Sequence, residues 1–144
     1  MKLAGVVAEY NPFHNGHKHQ LFDLKKQSDC DYLIVVMSGN FTQRGEPTIA
    51  EKRERAAWAL QNGADLVLEL PVAYSVANAE TFAYGAVATL NACGISALGF
   101  GCETDDLALL QSAAKLYNND DLELQRLIQQ QLSIGLSYPL AVHN

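Results

Sequence analysis

No apolar run in this chain approaches the roughly 20 residues that a helix needs to cross a bilayer. The N-terminus also lacks the basic-then-apolar profile of a secretory signal, so no membrane partner is expected. Cysteine is scarce: Cys30, Cys93 and Cys102 lie far apart and form no Cys-x-x-Cys pair. That argues against a disulfide framework or a cysteine-based zinc site and fits a reducing, cytoplasmic compartment. Basic charge is short too. The net charge is −6, and residues 101–144 carry two Lys/Arg against six Asp/Glu, while residues 1–60 are near neutral, with eight against seven. Such a balance leaves no basic face for a stable nucleic-acid complex, so most of the binding surface for a polynucleotide substrate would lie elsewhere. A Gly-x-Gly-x-x-Gly after the first strand-like segment is absent, as is Gly-Lys-Ser/Thr, which argues against a dinucleotide fingerprint and a P-loop. No internal repeat or low-complexity stretch occurs.

The chain does have enough apolar material for a core. Of its 144 residues, 49% are hydrophobic and 18% charged, as in a globular protein, and the length suits one domain over 1–144. Its pattern alternates strand and helix. Leu3 to Ala8 reads as a buried strand, followed by a helix over about Gly16 to Gln27 with Asn15 as N-cap and Leu21 and Leu24 on one face. Tyr32 to Met37 is a continuous apolar run that suits the centre of a parallel sheet. A polar loop, Ser38 to Pro47, precedes Thr48-Ile49-Ala50-Glu51, a capping box for a helix running to about Asn62 and closed by Gly63. Asp65 to Leu70 predicts a third strand, stopped by Pro71. Ala77 to Cys93 predicts a helix with Ala79, Ala83, Ala86, Leu90 and Cys93 facing the core, and Gly94 ends it. Ile95 to Phe100 is a fourth strand. Helices over about Asp105–Tyr117 and Leu122–Leu132 complete the chain, the last with Leu124, Leu127, Ile128 and Leu132 on one face. The expected fold class is α/β: a Rossmann-like parallel sheet with helices on both faces.

The candidate site follows from the first strand-to-helix turn, Glu9-Tyr10-Asn11-Pro12-Phe13-His14-Asn15-Gly16-His17. A helix N-terminus offers unpaired N–H groups and partial positive charge, which attract phosphate. Gly16 lets a phosphate approach the backbone. Imidazoles at i and i+3 can donate to oxygens that gain charge as pyrophosphate departs. The same pair could hold a metal, although zinc usually takes three or four ligands, and chance clustering of His14, His17 and His19 is the bland reading. The loops over residues 9–17, 38–47 and 101–104 all fall at the carboxyl ends of expected strands, where ligands bind in open α/β sheets. Within the second loop, Asn40, Gln43 and Arg44 are either substrate contacts or surface polar groups. Glu69 reads as a loop hydrogen-bond partner, and Lys52-Arg53-Glu54-Arg55 as a solvated helix face.

His-x-Gly-His in this context is the signature of the nucleotidyltransferase superfamily. Together with Met37-Ser38-Gly39-Asn40-Phe41-Thr42-Gln43-Arg44-Gly45-Glu46-Pro47, Gly63 to Pro71 and Phe100-Gly101-Cys102-Glu103, the chain resembles the bacterial tRNA(Met) cytidine acetate ligase family up to Pro139. The resemblance implies adenylation of acetate by ATP, with Mg²⁺, and transfer of the acetyl group to N4 of the wobble cytidine of elongator tRNA(Met). It implies that His14 and His17 stabilise the transition state. It also implies that Val7, Ala8, Glu9, Tyr10, Asn11, Pro12, Phe13, His14, Asn15, Gly16, His17, Lys18, His19 and Gln20 wrap the nucleotide, with Gly101 beside it. The pattern departs from the family at Cys102, where Ser is expected, and after Tyr138-Pro139, where a basic residue is expected. Family members continue into a helical part with further nucleotide contacts, so the isolated chain is expected to be impaired, and homodimerisation through uncovered apolar surface stays open. The competing readings are a small-molecule adenylyl- or cytidylyltransferase of the phosphopantetheine or nicotinate-mononucleotide type, and a non-catalytic nucleotide-binding module. The first lacks its Ser/Thr-rich segment ending in Arg.

Overall fold

The computed structural model of the chain describes residues 1–104, 106–118 and 122–143. It divides into two compact units, Met1–Gly101 and Cys102–Asn144.

In the first unit, β1 (Leu3–Ala8), β2 (Tyr32–Ser38), β3 (Leu66–Leu70) and β4 (Ala97–Gly99) form one sheet in the order β3-β2-β1-β4. Every pairing is parallel: Leu3 sits opposite Tyr32, Ile34 opposite Leu66, and Ala4 opposite Ala97. The apolar run of β2 is interior, as its composition predicts, because a strand covered on both faces needs apolar side chains at consecutive positions.

Alternation sorts those side chains into two cores. Ala4, Val6, Leu33, Val35 and Met37 share one face with Leu21 of α1 (Asn15–Ser28) and Ala59 of α2 (Lys52–Gln61). Ile34, Val36 and Leu70 share the other with Ala86 and Leu90 of α4 (Ala79–Ala92). Full burial of each Val, Leu or Ile contributes about 1.5–3 kcal/mol, so both faces are held by burial. Between β3 and α4 lies a short helix that the sequence reading did not anticipate, α3 (Val72–Ser75), with Pro71 as its N-cap. The second unit contains α5 (Leu107–Asn118), α6 (Leu122–Ser133) and α7 (Tyr138–His143), the last also unanticipated. Asp105, the expected start of α5, lies outside the described residues.

Several local expectations are corrected. The N-cap of α1 is His14, not Asn15. Thr48 forms no capping box: its hydroxyl donates to the Ala50 carbonyl at 2.9 Å, and α2 begins after Glu51 without a side-chain cap. Asp65 lies outside β3. Its carboxylate accepts from Leu33 N–H at 2.8 Å and pairs with Lys25 at 2.8 Å, so it tethers the strand's start. On α4, Asn78 is the cap, accepting from Thr81 N–H at 2.8 Å; Ala79 and Ala83 face solvent while Gly85, Ala86 and Leu90 are buried. The stripe that packs on the sheet runs through Phe82, Ala86, Leu90 and Cys93. Gly63 and Gly94 do close their helices, at φ 117° and 75°.

Candidate active site

The chain leaves β1 at Ala8 and turns through Tyr10, held at φ 49°, to reach the N-terminus of α1. A left-handed conformation is unfavourable for a residue with a Cβ and persists where packing imposes it. The Tyr10 ring supplies that packing: it is buried and meets Phe13 and His17 edge-on, each at 4.8 Å. Burial also pushes the Tyr10 phenol pKa well above its ordinary value.

His14 and His17 build the turn themselves. Gly16 N–H donates to His14 Nδ1 at 3.1 Å, and His14 N–H donates to His17 Nδ1 at 3.2 Å, a reciprocal capping box made of two imidazoles. The rings stack at 3.7 Å. Because each Nδ1 is an acceptor, the neutral rings carry their proton on Nε2, which remains the outward donor. His17 is held below its ordinary pKa by burial and, secondarily, by His14, both of which favour its neutral form. At Gly16 an added Cβ would lie 3.0 Å from His14 Cε1, so the capping imidazole itself leaves little room for a side chain there.

Facing this turn is a small hairpin. Phe41 bridges Pro47 in antiparallel fashion, Thr42 N–H donates to Glu46 O at 2.9 Å, and Gly45 N–H donates to Thr42 O at 2.9 Å. Gln43 and Arg44 are thus the turn's central residues, and Gly45 follows at φ 78°, the left-handed position that closes three-residue hairpin loops. The hairpin is tied to the histidine turn at two points. Gln43 N–H donates to Glu9 Oε1 at 2.6 Å, and Ile49 N–H donates to Asn11 Oδ1 at 2.7 Å.

Between these walls lies a cleft of 530 Å³, lined by Val7, Ala8, Glu9, Tyr10, Asn11, Pro12, His14, His17 and Gln20 on one side and by Thr42, Gln43, Arg44 and Glu46 on the other. Arg44 is the one Lys or Arg among its described lining residues. The remaining expected residues sit elsewhere. Phe13 packs into the core, while Asn15, Lys18 and His19 lie around Phe22 on another face of α1, where His19 pairs with Asp23 at 3.0 Å. Asn40 borders a separate pocket of 230 Å³ with Phe41, Glu69 and Val72. Gly101 is exposed and does not line the cleft. Among the described residues no group of three or more His, Cys, Asp or Glu could hold a metal ion.

The residue that the sequence reading misplaced is Arg55. It is not part of a solvated face: its exposure is 0%. Its guanidinium donates to the carbonyls of Ala50 at 3.2 Å and Ser38 at 3.0 Å, and also to those of Glu9 and Gly39. Burial opposes its charge and the nearby carboxylates of Glu9 and Glu69 favour it. One signal in the sequence was available, since Arg55 is one turn before Ala59 and shares its buried stripe. Lys52 does face outward, paired with Glu69 at 2.7 Å.

Comparison with known proteins extends over the same residues. The model of the HIGH Nucleotidyl Transferase family matches residues 1–144. A tRNA(Met) cytidine acetate ligase of Clostridium kluyveri is 45% identical over 145 residues, covering 100% of this chain and 36% of that protein. Another, of Halalkalibacterium halodurans, is 50% identical over 141 residues, covering 98% and 34%. The crystal structure of Thermotoga maritima TmcAL bound with alpha-thio ATP superposes with a TM-score of 0.85 at 45% identity, covering 99% of this chain and 35% of that one. The chain thus spans about a third of the length of the relatives it matches.

Proposed function

This chain belongs to the HIGH Nucleotidyl Transferase family, and from that premise we propose that residues 1–144 form the ATP-binding domain of a longer ligase of the tRNA(Met) cytidine acetate ligase type. In this reading ATP and acetate are its substrates, and the acetyl group is destined for N4 of the wobble cytidine of elongator tRNA(Met), in the cytoplasm. The observation that carries the proposal is the imidazole pair at the cleft, with both Nδ1 atoms occupied by backbone N–H donors.

The chemistry follows from that arrangement. An acetate oxygen attacks the α-phosphorus of ATP, the bond from that phosphorus to the bridging oxygen breaks, and pyrophosphate leaves. Charge grows on the non-bridging oxygens and on the departing group. The Nε2–H groups of His14 and His17 donate to those oxygens, and their orientation costs little at the moment of reaction because the capping box and the stacking of the two imidazoles already hold both, with the rings of Tyr10 and Phe13 packed against His17. Arg44 supplies the positive charge on the opposite wall, and Gln43 flanks it. Gly101 belongs beside the nucleotide by resemblance, although it lies outside the lining of the cleft and a Cβ added there would meet nothing within 4 Å. The residues present suit a Mg²⁺ carried mainly by the phosphates, since Glu9 and Glu46 line the cleft without forming a protein cage. Such an ion neutralises phosphate charge when bound.

The test is pyrophosphate release from ATP with acetate, phosphopantetheine or nicotinate mononucleotide as acceptor, in this chain and in His17→Ala. Acetate-dependent release that falls in the variant is expected. Release with either other acceptor would move the assignment to a small-molecule nucleotidyltransferase, and ATP binding without release under any acceptor would leave a binding module. Acetylcytidine formation by this chain alone is expected to be slight, because a net charge of −6 offers tRNA little attraction.

A further inference from the structure

The buried guanidinium of Arg55 lies where the cleft's two walls diverge. β1 and β2 are neighbours with Ala8 opposite Met37, so Glu9 and Ser38 are the next residues in register at the carboxyl ends of the two strands. From there one chain goes to the histidine turn and the other to the hairpin. Arg55 donates to Glu9 O on the first path, to Ser38 O and Gly39 O on the second, and to Ala50 O on the approach to α2. All its partners among the described residues are main-chain carbonyls; no carboxylate takes the fork. The carboxylates of Glu9 and Glu69 favour its charge without being hydrogen-bonded to it, so the directed bonds of the guanidinium serve to join backbones.

We propose that Arg55 is a positioning residue that sets the separation of the two walls and thereby the placing of Arg44 against the His14–His17 pair. Glu9 transmits the constraint. Its carbonyl is held by Arg55 while its carboxylate accepts from Gln43 N–H at 2.6 Å, so fixing one end of Glu9 fixes the hairpin at the other. Arginine is required because three nitrogens in one plane must reach carbonyls in different directions; a lysine ammonium is a single point on a flexible stem. The placing of the walls stands on these bonds alone, while its consequence for nucleotide affinity rests on the ATP reading above.

The experiment uses Arg55→Lys, which keeps the charge, with Arg44→Ala and the double variant as partners. Amide hydrogen exchange without ligand reads the positioning directly. Exchange at Gln43 N–H should quicken about tenfold in Arg55→Lys while central-strand amides such as Val35 keep their protection. Unchanged exchange at Gln43, or equal loss at Val35, overturns the proposal, the second because Arg55 would then be a general structural residue. Titration with ATP and Mg²⁺ reads the consequence. Affinity should fall about tenfold in Arg55→Lys, and Arg44→Ala should cost less in that background than in the parent. Simple additivity of the two losses overturns the coupling. If the folded parent does not bind ATP, the nucleotide reading fails, and the exchange data still decide the role of Arg55. If Arg55→Lys does not fold, Glu9→Gln keeps the test open. It leaves the guanidinium's carbonyls in place and weakens the bond to Gln43, so it too must quicken exchange at Gln43 N–H, and failure to do so overturns the proposal.

Discussion

His14 has two duties that a pair of substitutions can separate. Its Nδ1 caps α1 by accepting from Gly16 N–H at 3.1 Å, and its ring lines the cleft, with no hydrogen bond from Nε2 among the described residues. His14→Ala removes both. Loss of an N-cap side chain costs about 0.5–2 kcal/mol, and the bond here is solvent-exposed, so a loss of about 1 kcal/mol is expected. For a chain of this length that corresponds to roughly 2–4 °C in Tm. His14→Asn should restore the stability, since Asn is among the best N-cap residues and its oxygen reaches the same N–H. It should not restore nucleotide binding, because its side chain is too short to carry a donor to where Nε2–H stands. A hydrogen bond to a charged phosphate contributes about 1.5–3 kcal/mol, so ATP should bind roughly 10- to 150-fold more weakly to both variants. Urea or thermal unfolding measures the first quantity and calorimetric titration of ATP with Mg²⁺ the second. Equal destabilisation by Asn and Ala would refute the cap. Parent-like ATP affinity in His14→Asn would refute the imidazole's role in binding.

Other outcomes follow from single contacts. Tyr10 Oη is buried with no hydrogen-bond partner among the described residues, so Tyr10→Phe should leave stability unchanged or raise it by about 1 kcal/mol; a clear loss in urea unfolding would mean that the hydroxyl has a partner. A Cβ at Gly85 would lie 2.8 Å from Tyr74 Cβ and closer still to the base of its ring, so Gly85→Ala should lower stability by about 1–2 kcal/mol despite its better helix propensity. An unchanged Tm would contradict the packing of α3 on α4. His17 is held below its ordinary pKa of 6.5, so the unfolded chain takes up a proton first as pH falls. The stability it contributes is complete above pH 6.5 and is lost as pH falls from there through the folded pKa. Because Gln at that position can keep the capping box, the difference between the parent and His17→Gln should shrink at high pH and grow below 6.5 in denaturant titrations. The opposite slope would show that the imidazole is charged in the folded chain.

How much was legible can be judged from particular residues. The apolar runs of β1 and β2 and the alternation of strands with helices predicted a parallel sheet, because burial on two faces leaves a compositional trace along consecutive positions. The histidine turn was legible for the same kind of reason: its bonds join residues two and three apart. Its cap was nonetheless assigned to Asn15, since histidine is a poor candidate by propensity and only the geometry of the second imidazole makes the box. Arg55 was misread because charge is the stronger local signal, and its burial depends on carbonyls 16, 17 and 46 residues away. Likewise Arg44 and Asn40, both in one polar loop, separate into different pockets only once the Phe41–Pro47 bridge folds the loop back.

The sequence by itself therefore determined the layers, the strand that is central and the histidine turn at the start of α1, because periodicity and short-range hydrogen bonding are written in neighbouring residues. The tertiary structure decided which side chains face one another across the cleft and how far apart its walls stand. Those depend on the register of β1 against β2 and on a buried guanidinium that takes carbonyls from both, and no local pattern specifies a bond between segments that meet only when the sheet has formed.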